Sequence, residues 1–486
     1  MSLTQLTNPS MYPTVTPQVL IIGSGPSGLV LALALAQNGI PFRIIEKRSE
    51  FHQSQRGSRT QARLLITINS LAAEIKSVTT LSPYVAPTPD VPYPNRAVIG
   101  QNLAEGVLRS HLSKLGIEVE RSTELVSFKQ DENQVTAEIL KRGPNNEEVQ
   151  ETTTFDFLVG ADGAKGVTRK FMNLTFLGET TETHWVIGDL FVRGLSTDTW
   201  HNWRPSEKDM VFVRPTETEE LFQTTCRDEI TIENIKTLSE YRLNIRMVNK
   251  FSEERVFVVG DAAYIHSPAG GQGMNSSIQD SFNLGWKLAL VCKKQKLISR
   301  DKEDNEESFH RPKFLNQLRV NYRWSCILVD EHAASQESTK NPYGSLDDTE
   351  LRAGNRAPDS PSLTRIGSPS SDQITLFSIF KPTHHTVLLF NPPACEMGQI
   401  SARLSAWPAG VVKTVVVLPK GVQDIQVDVS GEVIVLDDKE GHAYNFYIQA
   451  EDGRFPVFIV RPDGVIGGIV KGLEGLKTYP DKLFIG

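Results

Sequence analysis

Cysteine is scarce and unpatterned in this chain: Cys226, Cys292, Cys326 and Cys395 are the four among 486 residues, with no C-x-x-C pair. Neither a disulfide framework nor a zinc site is indicated, and the usage fits a reducing, cytoplasmic setting. Basic excess is lacking too. Lys and Arg number 51 against 58 Asp and Glu, a formal charge of −7, whereas a nucleic-acid partner needs a basic face. The most apolar stretch, Val19 to Ala36, is broken by Gly23, Gly25, Pro26 and Gly28, too early for a membrane span. Residues 1–17, polar and rich in Pro and Thr, have no charged start ahead of an apolar core. They read as a disordered lead rather than a signal peptide. No internal repeat is evident. What remains is ordinary globular composition, 39% hydrophobic and 22% charged, in a chain long enough for two or three domains.

From Gln18 to Glu46 the pattern predicts strand, glycine turn, helix and strand. Val19–Ile22 is a continuous apolar run suited to a parallel strand covered on both faces. Leu29–Gln37 is helical in composition with Asn38-Gly39 as its stop, and Phe42–Ile45 is the next strand. This βαβ order implies a parallel sheet with a right-handed crossover. The proline-rich stretch Pro83–Pro94 predicts a loop. Leu103–Leu115 predicts a helix, and Ile117–Glu120, Val135–Leu140 and Phe155–Val159 predict strands. Residues 178–250, with Trp185, Trp200 and Trp203, read as an inserted antiparallel sheet walling a cavity. Lys293–Glu307, dense in both charges, reads as a solvated helix end and loop.

A boundary falls at 341–371, rich in Gly, Pro, Ser and Asp. Beyond it, apolar runs at Thr386–Phe390, Thr414–Leu418 and Val457–Val460 suit a separate small α/β domain. His384-His385, beside the first of these runs, reads as a surface pair rather than a metal site. The expected division is therefore a lead (1–17), a main domain (18–340), a linker (341–371) and a C-terminal domain (372–486).

Three segments carry chemistry. Gly23-Ser24-Gly25-Pro26-Ser27-Gly28 is a G-x-G-x-x-G between strand and helix, with Glu46 ending the second strand where an acid accepts bonds from a ribose. Strand, helix and acid all stand where dinucleotide binding needs them. Gly160-Ala161-Asp162-Gly163, with Arg169, follows a second buried strand. The third segment runs from Arg255 to Leu290. There an apolar run stops at Gly260-Asp261, and a turn containing Pro268, Gly270, Gly271 and Gly273 leads into a helix from about Met274. An acid facing such a turn can hold a polyol, and exposed N–H groups at the helix start stabilise negative charge. Each of the last two segments alone is an ordinary strand-to-loop turn; all three together, in this order, indicate a flavin.

With those motifs the chain resembles the FAD-dependent aromatic hydroxylases, the class A flavoprotein monooxygenases, and among them the phenol and polyketide hydroxylase branch. GSGPSG, ADGAKGVTRK and VVGDAAYIHSPAGGQGMN stand at that family's dinucleotide, DG and GD motifs. The resemblance implies a Rossmann-like α/β FAD-binding domain with an inserted antiparallel-sheet substrate domain. It also implies a C-terminal thioredoxin-like α/β domain, signalled by GNRAPD (354–359) and VRPDGVIGG (460–468). That domain has no C-x-x-C, so a packing or dimer-contact role, and hence a homodimer, is expected rather than thiol exchange.

By the same resemblance the FAD ligands are Gly23, Gly25, Pro26, Ser27 and Gly28, with Glu46 on the adenosine ribose. Arg56 lies near the phosphates, Gln101 by the flavin and Asp162 in a motif linked to FAD and reduced nicotinamide. Asp261 holds the ribityl hydroxyls. The backbone at Gly273, Met274 and Asn275 faces the isoalloxazine, and Pro268 is a further cofactor-binding residue. NAD(P)H is the transient donor, O₂ the oxidant and a phenolic or related aromatic compound the substrate, oxygenated through a flavin hydroperoxide in a dry pocket. No catalytic side chain is assigned; Arg214, Tyr241, Arg246 and Tyr264 are candidates for favouring the phenolate.

The chain departs from the family in three places. The stretches between Arg63 and Pro94 and between Asp162 and Asp261 are short, and charged residues 297–311 replace a Tyr-x-x-Glu-Arg-like helix. Alternatives stay open: another FAD oxidoreductase, such as an epoxidase, reductase or decarboxylative hydroxylase, or a flavin-binding protein with impaired turnover. A halogenase is disfavoured because no Trp-x-Trp-x-x-Pro stretch follows the first motif.

Overall fold

Alternation along one short strand explains the first layer. Val19–Ile22 is buried throughout, with Val19 and Ile21 packing into one cluster and Leu20 and Ile22 into another. A strand apolar on both faces needs cover on both. The computed structural model, which describes residues 16–53, 64–69, 75–82, 84–95, 99–193, 195–203, 210–216, 221–226, 235–266, 273–293, 321–332, 350–367, 373–422, 433–448 and 455–484, supplies it. Strands 256–258, 157–160, 19–22 and 42–45 lie side by side in parallel, with 252–253 antiparallel at the edge. Helices α1 (Pro26–Gln37), α2 (Gln101–Lys114) and α4 (Gly273–Cys292) cover one face, through Leu31, Leu35, Leu112 and Leu288. An antiparallel meander of Thr123–Gln130, Val135–Arg142 and Glu148–Phe155 covers the other, through Leu125, Ala137 and Ile139. A single turn of helix, α3 (Thr168–Phe171), follows the strand Phe157–Gly160.

A further sheet occupies the stretch read as an inserted sheet and extends beyond those bounds. Among the described residues it has eight strands, running Tyr264–Ile265, Ile235–Val248, Phe176–Phe191, Leu221–Cys226, Val211–Pro215, Trp200–Trp203, Leu64–Asn69 and Ile75–Ser82. The last two come from well before residue 178, joined by a parallel pairing of 64–69 with 200–203. Trp185, Trp200 and Trp203 all lie on its strands. Residues 84–95 have no regular structure, in keeping with their prolines.

A second mixed sheet forms the C-terminal half. At its centre His385–Phe390 is flanked by Val412–Leu418 in parallel and Pro456–Val460 antiparallel, and Ile466–Lys471 follows antiparallel. Val387 and Leu389 point to one core, Leu388 and Phe390 to the other. Strands Val329–Asp330 and Leu363–Arg365 also join this sheet, so it draws on chain from both sides of the stretch read as a linker.

One expectation is overturned here. His385 is fully buried, not a surface residue. It opens a six-residue strand with every side chain buried, in mid-sheet, and its ring meets Trp286, Trp407 and Tyr479 edge-on. Neither ring nitrogen has a hydrogen-bond partner among the described residues. Burial, helped by Arg461, pushes its pKa down to about 3, so the imidazole is neutral.

Candidate functional site

The three glycine motifs meet at the carboxyl ends of the parallel strands. Gly23, just past Val19–Ile22, has φ +101°, and a methyl group there would strike the Ala161 carbonyl oxygen and lie 3.1 Å from Asp162 Cα. The first motif is thus packed directly on the second. Gly260, at φ +58°, is crowded by Ser27 Oγ, and its added methyl would lie 2.8 Å from Ser277 Oγ. The third motif therefore touches the start of α1 and the first turn of α4 together. Only glycine combines that backbone with that closeness.

The residues around this meeting point fit a dinucleotide. α1 and α2 begin at Gly25 and Gly100 without a side-chain cap, and neither these helices nor α4 carries an acid in its first turn. Uncapped N–H groups of this kind are satisfied by an anion. A methyl group on Gly25 would meet no atom within 4 Å, so the backbone there borders open space. Asp162 Oδ1 is buried without a hydrogen-bond partner among the described residues, while Oδ2 accepts from Val167 N, Thr168 N and Thr168 Oγ1 at 2.7, 2.9 and 3.0 Å. One oxygen of that carboxylate is committed to the start of α3, and the other has no partner among the described residues.

Glu46 follows the strand Phe42–Ile45 and accepts from Ser24 N and Ser24 Oγ, both at 3.1 Å, and from Arg48 N. Gln101 opens α2 and donates to Glu105 at 2.8 Å. Burial raises the Glu105 carboxyl, opposed by Gln101 and Arg109 and reinforced by Glu46. Arg109, 3.6 Å from Glu105, also lies over the Phe51 ring at 4.0 Å. Asp261 is solvent-exposed in a single 3₁₀ turn; surrounding protein still pushes its carboxyl above the usual range, with His266 acting the other way. Gly273, Met274 and Asn275 form the first turn of α4. Arg56 and Pro268 lie outside the described residues.

Arg169 holds two of the motifs together. Its guanidinium donates to Ala262 O and Ala164 O, both at 2.8 Å, and stacks 3.8 Å from the Phe176 ring centre. Burial lowers its pKa and Asp162 opposes that; the group stays charged. Lysine cannot serve both carbonyls with one compact ammonium. Arg169→Lys should therefore cost about 2–3 kcal/mol through buried acceptors left unpaired, read as a lower urea midpoint. An unchanged midpoint would mean the bridge does not hold the loops.

Of the four side chains considered for the substrate side, Arg246 and Tyr264 lie on paired neighbouring strands. Tyr264 donates to Asp280 Oδ2 at 2.6 Å. Arg246 donates to Phe176 O and Thr180 Oγ1 at 3.2 and 3.0 Å. Arg214 is buried within Val211–Pro215, and the side chain of Tyr241 lies outside the described residues. Sequence reasoning missed Ser24, Glu105, Ser277 and Asp280. The signal for Ser277 was available: Gly273, Ser277, Ser281 and Gly285 recur every four residues and make the small face of α4, with Gly285 lying against Ala34 of α1.

Comparison with known proteins agrees with this geometry. The chain matches the family described as FAD binding domain over residues 16–226 and 201–306. It is 30% identical to a flavin-dependent monooxygenase of Mycobacteroides abscessus, over 77% of this chain and 89% of that one. It is 26% identical to pentachlorophenol 4-monooxygenase of Sphingobium chlorophenolicum, over 87% and 91% of the two chains. The first alignment spans 448 positions, more than the part of this chain it covers, so that relative carries segments missing here. In fold, the chain superposes on the flavin-dependent monooxygenase PieE in complex with FAD and substrate with TM-score 0.74 at 17% identity, covering 97% and 99% of the two chains. Aklavinone-11 hydroxylase with FAD and aklavinone gives TM-score 0.72 at 20% identity, covering 96% and 99%.

Proposed function

This chain belongs to the FAD-binding family of flavin-dependent aromatic hydroxylases, and from that premise we propose that it oxygenates a phenolic or related aromatic compound with NAD(P)H and O₂. It is an FAD-dependent monooxygenase. The observation that carries the assignment is the meeting of the three glycine motifs at Gly23 and Gly260. When bound, FAD supplies the passage of electrons from NAD(P)H to O₂ and the delivery of one oxygen atom.

The chain's own residues hold and orient the cofactor. In this proposal the uncapped start of α1, Gly25 to Gly28, receives the pyrophosphate, and Glu46 exchanges its bonds to Ser24 for the adenosine ribose. Arg56 lies by the phosphates and Gln101 by the flavin. The open oxygen of Asp162 and the exposed carboxylate of Asp261 take hydroxyl groups of the ligand. Pro268 and the first turn of α4, Gly273 to Asn275, border the ring. The inserted sheet walls the substrate side and excludes water there.

The domain division at 341–371 belongs to the same proposal, with the strands at 329–330 and 363–365 lending themselves to the C-terminal unit. The order strand 385–390, helix 397–405, strands 412–418 and 434–438, helix 442–447, strands 456–460 and 466–471, then helix 472–483 supports a thioredoxin-like reading of that unit. No helix among the described residues is long and apolar enough to cross a membrane. A cytoplasmic homodimer completes the proposal.

The segments missing relative to the Mycobacteroides protein favour a second reading, a flavin protein with impaired turnover. Product formed in ¹⁸O₂ from a phenol panel separates the two. The hydroxylase reading expects NAD(P)H oxidation stimulated by substrate and one ¹⁸O atom per product. Bound FAD with neither effect would leave the second reading standing.

A further inference from the structure

Helix α4 is gripped from two sides. Gly285 faces α1, where an added methyl would lie 2.6 Å from Ala34 Cβ. On either side of Gly285 in sequence, Asn283 and Trp286 face the turn 461–465 of the C-terminal unit. Asn283 Nδ2 and Trp286 Nε1 donate to Asp463 Oδ2 at 2.9 and 3.2 Å, across some 180 residues of sequence. Trp286 is 1% exposed and belongs to the same core cluster as Val387, Ile459 and Tyr479, so a side chain of the flavin-bearing helix is part of the C-terminal core.

The acceptor is a strong one. Asp463 is buried and paired with buried Arg461 through Nε, at 3.0 Å, and Nη2. Burial alone would raise its carboxyl, but Arg461 and Asn283 outweigh that and hold it below the usual range. An ionised acceptor roughly doubles the strength of the bonds from α4. A second tie lies at the far end of the helix, where Lys293 Nζ donates to Asn38 Oδ1 and Asn38 Nδ2 donates to Pro382 O, at 3.2 and 3.0 Å. α4 is thus tied to the C-terminal unit at two points, the first roughly 15 Å along the helix from Gly273.

Resting on the FAD assignment above, we propose that the C-terminal unit is a working part of the flavin site: Asp463 is a positioning residue that acts through Asn283 and Trp286 to fix how α4 presents Gly273 to Asn275. Asn283→Leu and Trp286→Phe remove the donors and leave the Arg461–Asp463 pair in place. Leu404→Ala, in the same core cluster but making none of the latch bonds, serves as the control for lost stability.

The test is FAD titration with the visible flavin absorbance and circular dichroism, on the full chain, together with amide exchange over 273–292 in flavin-free protein. Both latch variants should weaken FAD on the order of tenfold, shift the visible flavin bands and speed exchange in the first turns of α4. Leu404→Ala should lower the melting temperature and leave FAD affinity and spectrum unchanged. The proposal is overturned if the latch variants keep wild-type affinity and bands, or if Leu404→Ala weakens FAD as they do. Failure of the FAD assignment itself would show in the wild-type titration, and the exchange of α4 would still decide whether the latch holds the helix.

Discussion

Gly25→Ala should weaken FAD binding roughly a hundredfold and leave the fold intact, whereas Gly28→Ala should lower its stability by roughly 3 kcal/mol. The two glycines stand three residues apart in one motif and face opposite demands. Gly25 is extended, at φ −73° and ψ −176°, a conformation alanine adopts freely, and its added methyl meets nothing within 4 Å. The space it would enter is where a pyrophosphate must approach the N–H groups of α1. Losing one or two charge-assisted bonds there costs about 3 kcal/mol, or roughly a hundredfold in FAD affinity. At Gly28 the methyl would drive into the Gly23 carbonyl oxygen and lie 3.1 Å from its carbonyl carbon. Both contacts are within the packed strand–helix junction, where overpacking against backbone costs roughly 3 kcal/mol. FAD titration and urea unfolding of both variants separate the effects. A Gly25→Ala protein that binds FAD like wild type would remove the pyrophosphate from the start of α1.

What could be read from sequence was local. Each of the three motifs ends a short apolar strand with glycine, so strand, turn and helix start were all visible within about ten residues. The parallel sheet, α1 and α4 follow from that punctuation. What escaped was partner choice over distance. Glu46 was expected to await a ribose, yet in the protein alone it caps Ser24, because an extended strand end and a nearby serine N–H satisfy each other. The strand at 64–69 pairs with chain more than a hundred residues away, and nothing in its composition names that partner. His385 was misplaced because a histidine pair at the edge of an apolar run suggests a polar end. Only the assembled sheet, with strands on both sides and Trp286 arriving from another layer, shows that the run starts already buried.

Asp280→Asn should stabilise the protein at neutral pH and flatten the pH dependence of its stability between about 4 and 6. Burial raises the Asp280 carboxyl to about 6, against the bonds it accepts from Tyr264 and the Gly260 amide. Below the ordinary carboxyl range, folded and unfolded chains both hold the proton and the group contributes nothing. From about 4 upward the unfolded chain gives its proton up while the folded protein still keeps it. Stability therefore falls as pH rises through this window and levels off above 6, at a cost of up to roughly 3 kcal/mol. An asparagine oxygen still accepts from Tyr264 and Gly260 and carries no charge to bury. In flavin-free protein, the difference in unfolding free energy between variant and wild type should be near zero or negative at pH 4 and grow in the variant's favour up to pH 6.5. Parallel curves across that range would mean Asp280 is ionised in the folded protein well below pH 6, and that Tyr264 and Gly260 outweigh its burial.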